Sequence, residues 1–160
     1  MLNLKIIISF LILLIPNIAI SDNMQISNLS DITQSWRHGD GDIITDMPIC
    51  IYTQNGDYKL RAEGYEINSG KFRIFKDNNI NGSPYIDYRV FWNEDSNGSN
   101  FEELRKRRKQ RFHSPETTNT TCSNGLNNST ILRIVINDNE LQSKSSGSYS
   151  GSLMLTISNN

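Results

Sequence analysis

Residues 146–160 read SGSYSGSLMLTISNN. Tyr149, Gly151, Leu153, Leu155 and Ile157 fall on one side of an extended chain, and Ser150, Ser152, Thr156 and Ser158 on the other. Period-two alternation is the signature of a β-strand with one buried face. The glycine and serine residues ahead of it mark a turn. A strand that reaches residue 160 needs a neighbour along its length, and which segment supplies that neighbour decides the fold.

The same alternation recurs upstream. In MPICIYT (47–53), Ile49 and Ile51 share one face while Cys50 and Tyr52 share the other. Asn55-Gly56 then signals a turn, and Tyr58, Leu60, Ala62 and Gly64 alternate with Lys59, Arg61 and Glu63. Short apolar pieces follow at 72–75 and 85–92; in the second, Ile86, Tyr88, Val90 and Trp92 share a face. Leu132, Ile134 and Ile136 do the same in ILRIVIN. Short alternating runs separated by Asn-Gly-Ser clusters specify an all-β protein, an antiparallel sandwich or barrel. A one-residue slip would turn each apolar set to water, so these faces also set register.

Residues 100–112, NFEELRKRRKQRF, break the pattern. Asn100 in N-cap position, Glu103 three residues on, and the Phe101/Leu104 spacing suggest a helical turn, while the stripe failing at Arg108 suggests a charged loop. A short helix at most is expected.

Lys5, the apolar run 6–15, Pro16-Asn17 and the small residues Ala19 and Ser21 describe a secretory signal peptide cut after Ser21. A membrane anchor needs about 20 apolar residues, and Pro16 interrupts the run first. The remainder, 22–160, is expected to form a single domain. Removing Lys5 leaves fifteen basic and seventeen acidic residues, a balance of −2 that argues against a nucleic-acid partner. The two cysteines, Cys50 and Cys122, read as a disulfide in an exported chain. It would close a 72-residue loop, for which chain entropy gives about 4 kcal/mol. The rival reading, a thiol nucleophile or metal ligand, has no CxxC partner to support it.

Candidate chemistry is sparse. The basic run Arg105, Lys106, Arg107, Arg108, Lys109 and Arg111 is either a solvated loop or a contact for an anionic surface, such as a sulfated glycan, lipopolysaccharide or a negative patch on a partner. Trp36-Arg37-His38-Gly39-Asp40-Gly41-Asp42 sets a histidine near two carboxylates, but lacks the further oxygen ligands of a calcium loop. No nucleophile, base and orienting group stand in a recognisable pattern, and the serine-rich stretch 146–152 lacks the strand–turn–helix context of a nucleophile elbow. No enzyme activity, metal or cofactor is expected.

A signal peptide, a first cysteine inside an early strand (PICIYT, 48–53), a second about seventy residues on, and the ending GSYSGSLMLTI (147–157) together resemble chaperone–usher pilus subunits. The likeness is to the archaic and alternative branches that include spore coat protein U-like domains. The GxYxGxLxLxI ending is its most specific piece, supported by CxYT and YxLxAxG. The resemblance implies an immunoglobulin-like antiparallel β-sandwich lacking one strand. Its partners would be a periplasmic chaperone, an usher and other pilus subunits, and it would pass from the periplasm to the cell surface as part of a fimbrium. It also implies that Tyr149, Leu153, Leu155 and Ile157 line the open edge, with the terminal carboxylate at Asn160 as the chaperone's handle. Met24, Ile26 and Leu29 form a short candidate donor segment, which points to a minor or tip subunit, adhesive or not, as readily as to a shaft subunit. The competing expectation is a self-contained secreted sandwich that binds a glycan or host protein through 105–111.

Overall fold

The computed structural model describes residues 24–27, 29–53, 56–65, 69–77, 79, 84–94, 100–113 and 130–159. The expected signal peptide (1–21), Cys122 and Asn160 lie outside them. Ten strands and one short helix follow in order: β1 (Met24–Ser27), β2 (Ile43–Thr53), β3 (Asp57–Gly64), β4 (Phe72–Lys76), β5 (Tyr85–Asn93), β6 (Glu102–Glu103), β7 (Lys109–His113), β8 (Thr130–Ile136), α1 (Asp138–Gln142), β9 (Tyr149–Ser150) and β10 (Leu153–Ser158).

The larger sheet runs β1-β2-β8-β5-β4-β9, with β6 also on β5, and the smaller runs β10-β3-β7. Every pairing is antiparallel. The fold is thus an all-β sandwich. Its core draws on inward faces of both sheets: Met47, Ile49 and Ile51 of β2, Tyr88, Val90 and Trp92 of β5 and Leu132 of β8 meet Tyr58, Leu60 and Ala62 of β3 and Phe112 of β7. The alternation read from sequence at 49–51, 58–62 and 86–92 is the alternation that packs.

One polar bond ties the layers. Trp92 Nε1 donates to the Tyr58 hydroxyl at 2.8 Å, and both residues are fully buried. Phe112 lies beside both rings, at 5.9 Å from Tyr58 and 6.3 Å from Trp92. Burial pushes the Tyr58 phenol well above its ordinary pKa, so it stays a neutral acceptor for the indole.

Two expectations need correction. Residues 100–112 form no helix. The Leu104 N–H bonds the Val90 carbonyl at 2.8 Å, which draws this stretch onto β5. Gln110 then closes the turn, accepting from the Arg105 N–H at 2.8 Å and donating to Glu102 at 2.7 Å. Arg107 takes a left-handed φ of 66° and bonds the Ala62 carbonyl. Burial of Leu104 and Phe112 outweighs the local helical spacing. The helix that does form, α1, was not foreseen. Its first free N–H, on Asp138, is met by the Asp42 carboxylate across the fold at 2.7 Å, a partner that no local pattern reveals.

The second correction concerns Tyr149. The 149–157 alternation reads as one strand, but the chain changes sheets within it. Tyr149 and Ser150 pair with Lys76 and Phe75 in the larger sheet, whereas Leu153–Ser158 pairs with β3 in the smaller. The crossing point is Gly151, where an added Cβ would stand 3.0 Å from both the Arg73 carbonyl oxygen and Ile74 Cγ2. A side chain does not fit there without displacing β4, so glycine permits the switch.

Candidate strand-docking groove

β10 is an edge strand. Its six residues pair with β3 from Leu153↔Gly64 to Ser158↔Lys59, and among the described residues no strand pairs with its other side. Leu153, Leu155 and Ile157 face inward, since they stand opposite inward-facing partners of β3. Ala62 and Leu60, opposite Leu155 and Ile157, are 1% and 0% exposed. The β10 side chains themselves are only half-buried. The difference is lateral: β3 has strands on both sides and β10 has one. The core is therefore open along β10.

The facing wall comes from the other sheet. β1 pairs with the end of β2, Met24↔Thr53 to Ser27↔Cys50, and approaches β10 to within 8 Å between Cα atoms without pairing with it. Met24 and Ile26, half-buried, pack against the same core as Leu153, Leu155 and Ile157. Thr53 Oγ1 and Ser27 Oγ are buried in the β1–β2 pair without a hydrogen-bond partner. The apolar side chains of β10 and β1 thus meet beside a strand edge that is unpaired among the described residues.

The two edges of the small sheet differ in charge. β7, on the far side, presents Lys109, Arg111 and His113, and charged side chains on an edge oppose further strand pairing. No residue from Ser145 to Asn160 is charged. One edge is charged and the other is not.

The residues expected at this edge divide. Leu153, Leu155 and Ile157 line it. Tyr149 does not: its hydroxyl donates to the Ser145 carbonyl at 2.9 Å, next to β4. Met24 and Ile26 lie in this chain's own sheet, and Leu29, 53% exposed, lies beyond β1. Cys50 is buried on β2 and is not a free thiol. The basic run spans the turn and β7, away from the groove. In the 36–42 turn, Asp40 accepts the Arg37 N–H at 2.7 Å and Trp36 Nε1 donates to the Gly41 carbonyl at 2.9 Å, so Asp40 closes its own turn and Asp42 caps α1. Among the described residues no cluster of three His, Cys, Asp or Glu side chains is placed to hold a metal ion.

No family model matches the sequence, and no curated protein matches it. Among solved structures, the fold is similar to a chain of the chaperone–tip adhesin complex described as vital for synergistic activation of CFA/I fimbriae biogenesis. The TM-score is 0.60 at 15% sequence identity, over 86% of this chain and 43% of that one. The present chain thus spans less than half the length of the chain it matches. The likeness is one of fold, an antiparallel β-sandwich.

Proposed function

We propose that this protein is a structural subunit of a surface pilus, completed by a β-strand donated from another molecule. The observation that carries the reading is the gradient across the small sheet: Leu60 and Ala62 of β3 are fully buried, while Ile157 and Leu155 opposite them on β10 are half-exposed along an uncharged edge. An added strand would bond the free N–H and C=O groups of β10 and place alternate side chains over Leu153, Leu155 and Ile157. The fold likeness to a chain from a chaperone–adhesin complex supports the same reading.

On this reading a periplasmic chaperone covers the groove first, an usher exchanges it for a neighbouring subunit, and the protein is not an enzyme. Signal-peptide cleavage after Ser21 and a Cys50–Cys122 disulfide belong with export. The commitment of Met24–Ser27 to β2 favours a minor or tip subunit that receives a strand. The spore coat protein U-like branch remains the proposed kinship.

Amide exchange on the purified chain tests this. Alternate amides of Leu153–Ser158 exchange rapidly in the free chain and become protected when a chaperone or a peptide of alternating apolar residues is added. A stable monomer with every β10 amide protected from the outset would refute it.

A further inference from the structure

The outward face of the small sheet gathers cations on neighbouring strands. Lys59 of β3 stands directly opposite Arg111 of β7, and Arg61 opposite Lys109. On the other side of β3, Ser158 lies opposite Lys59 and Thr156 opposite Arg61. Two neighbouring rungs therefore each read hydroxyl, cation, cation. Rungs two residues apart are separated by about 7 Å and adjacent strands by about 5 Å, so the four cations form one compact block. The turn bearing Arg105 and Arg108 adjoins it at Lys109.

Like charges directly opposite on a sheet are destabilising, and among the described residues no other strand pair sets them so. Lys71 and Arg73 hold Asp87, Arg89 holds Glu103, Arg133 holds Asp46 and Lys144 holds Glu140. On this face Arg61 pairs with Glu63, and His113 with Asp57 at the neighbouring rung. Among the described residues Lys59, Lys109 and Arg111 have no carboxylate partner. Half of the sixteen Lys and Arg residues lie on this face and its turn, in a chain whose net charge is −1.

The structure assigns this face as a binding surface for a linear, sulfated acidic polysaccharide. Closely spaced cations in two rows suit a polymer that presents anions at short intervals, and Thr156 and Ser158 extend each row with groups that bond sugar hydroxyls. A nucleic-acid surface would carry aromatic side chains for base stacking, and this face has none. A membrane surface would call for an apolar margin, and Met154, 55% exposed, is the single large apolar side chain on the face. The proposal goes beyond the pilus reading: the face stays open whether or not β10 gains a neighbour, so its test reads equally on the free chain and on the chain completed by a donor strand.

The experiment measures retention on immobilised heparin as a function of salt, for the full chain and for Lys59→Glu, Arg111→Glu and the double substitution. Each single substitution lowers affinity several-fold and reduces the slope of log K against log salt by roughly one, as expected when one contact to a polyanion is lost. Each also places opposite charges across β3 and β7, so the thermal midpoint rises by roughly 1–4 °C. The double substitution restores a like-charge pair, so the midpoint falls back while binding is lost further. Arg37→Glu, equal in charge change but distant, leaves retention unchanged. Equal loss in Arg37→Glu would reduce the effect to net charge and overturn the proposal. So would failure to bind heparin, unchanged binding in the single substitutions, or equally tight capture by anionic phospholipid vesicles through the same residues.

Discussion

Leu155→Ala should behave differently in the free chain and in the chain completed by a donor strand. Leu155 is half-buried, while its partner Ala62 across the β10–β3 pair is 1% exposed. Full burial of a leucine side chain is worth about 1.5–3 kcal/mol, and the free chain realises only part of it. Truncation should therefore cost the free chain about 1–1.5 kcal/mol. Once a donated strand covers the site, the loss approaches the 2–5 kcal/mol typical of a buried leucine. The difference, about 1–3.5 kcal/mol, appears as roughly 5- to 300-fold weaker donor binding. Leu60→Ala is the control: Leu60 is 0% exposed without any donor, so its full cost falls on both states and donor affinity moves little. Urea unfolding with and without a labelled donor peptide, together with its titration, measures both quantities. If Leu155→Ala costs the free chain as much as Leu60→Ala and leaves the peptide affinity unchanged, the site is already covered and the missing-strand account fails.

Other consequences are independent of the groove. Tyr58→Phe strands the buried Trp92 N–H and should cost about 1–3 kcal/mol, read from the denaturant midpoint. Burial raises the Tyr88 pKa to about 12, against an ordinary 10. Its contribution to stability is whole below pH 10 and is lost as pH rises from about 10 to 12, so alkaline unfolding should be shallower in Tyr88→Phe. The Arg133 hydrogen bond holds Asp46 below the usual carboxylate range; that stability is present above about pH 4 and falls away as acid protonates Asp46. Because the pair is partly exposed, Asp46→Asn should cost no more than about 1 kcal/mol by chemical denaturation at neutral pH. Gly151→Ala drives a Cβ against the Arg73 carbonyl and Ile74 and should cost about 1–3 kcal/mol by thermal unfolding.

Much of the fold was legible because burial imposes period two. Ile49/Ile51, Tyr58/Leu60/Ala62 and Ile86/Tyr88/Val90/Trp92 announce their faces in sequence and occupy the core in the structure. Where the local pattern leaves two outcomes open, the deciding partner lies far along the chain. The Phe101/Leu104 spacing is helical, but Leu104 bonds Val90 and the alternation Gln110–Phe112 sets an edge strand. Nothing local distinguishes the two outcomes.

The sequence by itself determined the strand content, the inward faces and an uncharged final strand, because alternation and charge are properties of neighbouring residues. Tertiary structure alone decided that Tyr149 and Leu153 belong to different sheets, that among the described residues β10 pairs with β3 alone while β7 holds the opposite edge, and that Lys59 meets Arg111. Which strands lie side by side is set by packing the two apolar faces against each other, and contacts between residues far apart in the chain leave no periodic trace within either segment.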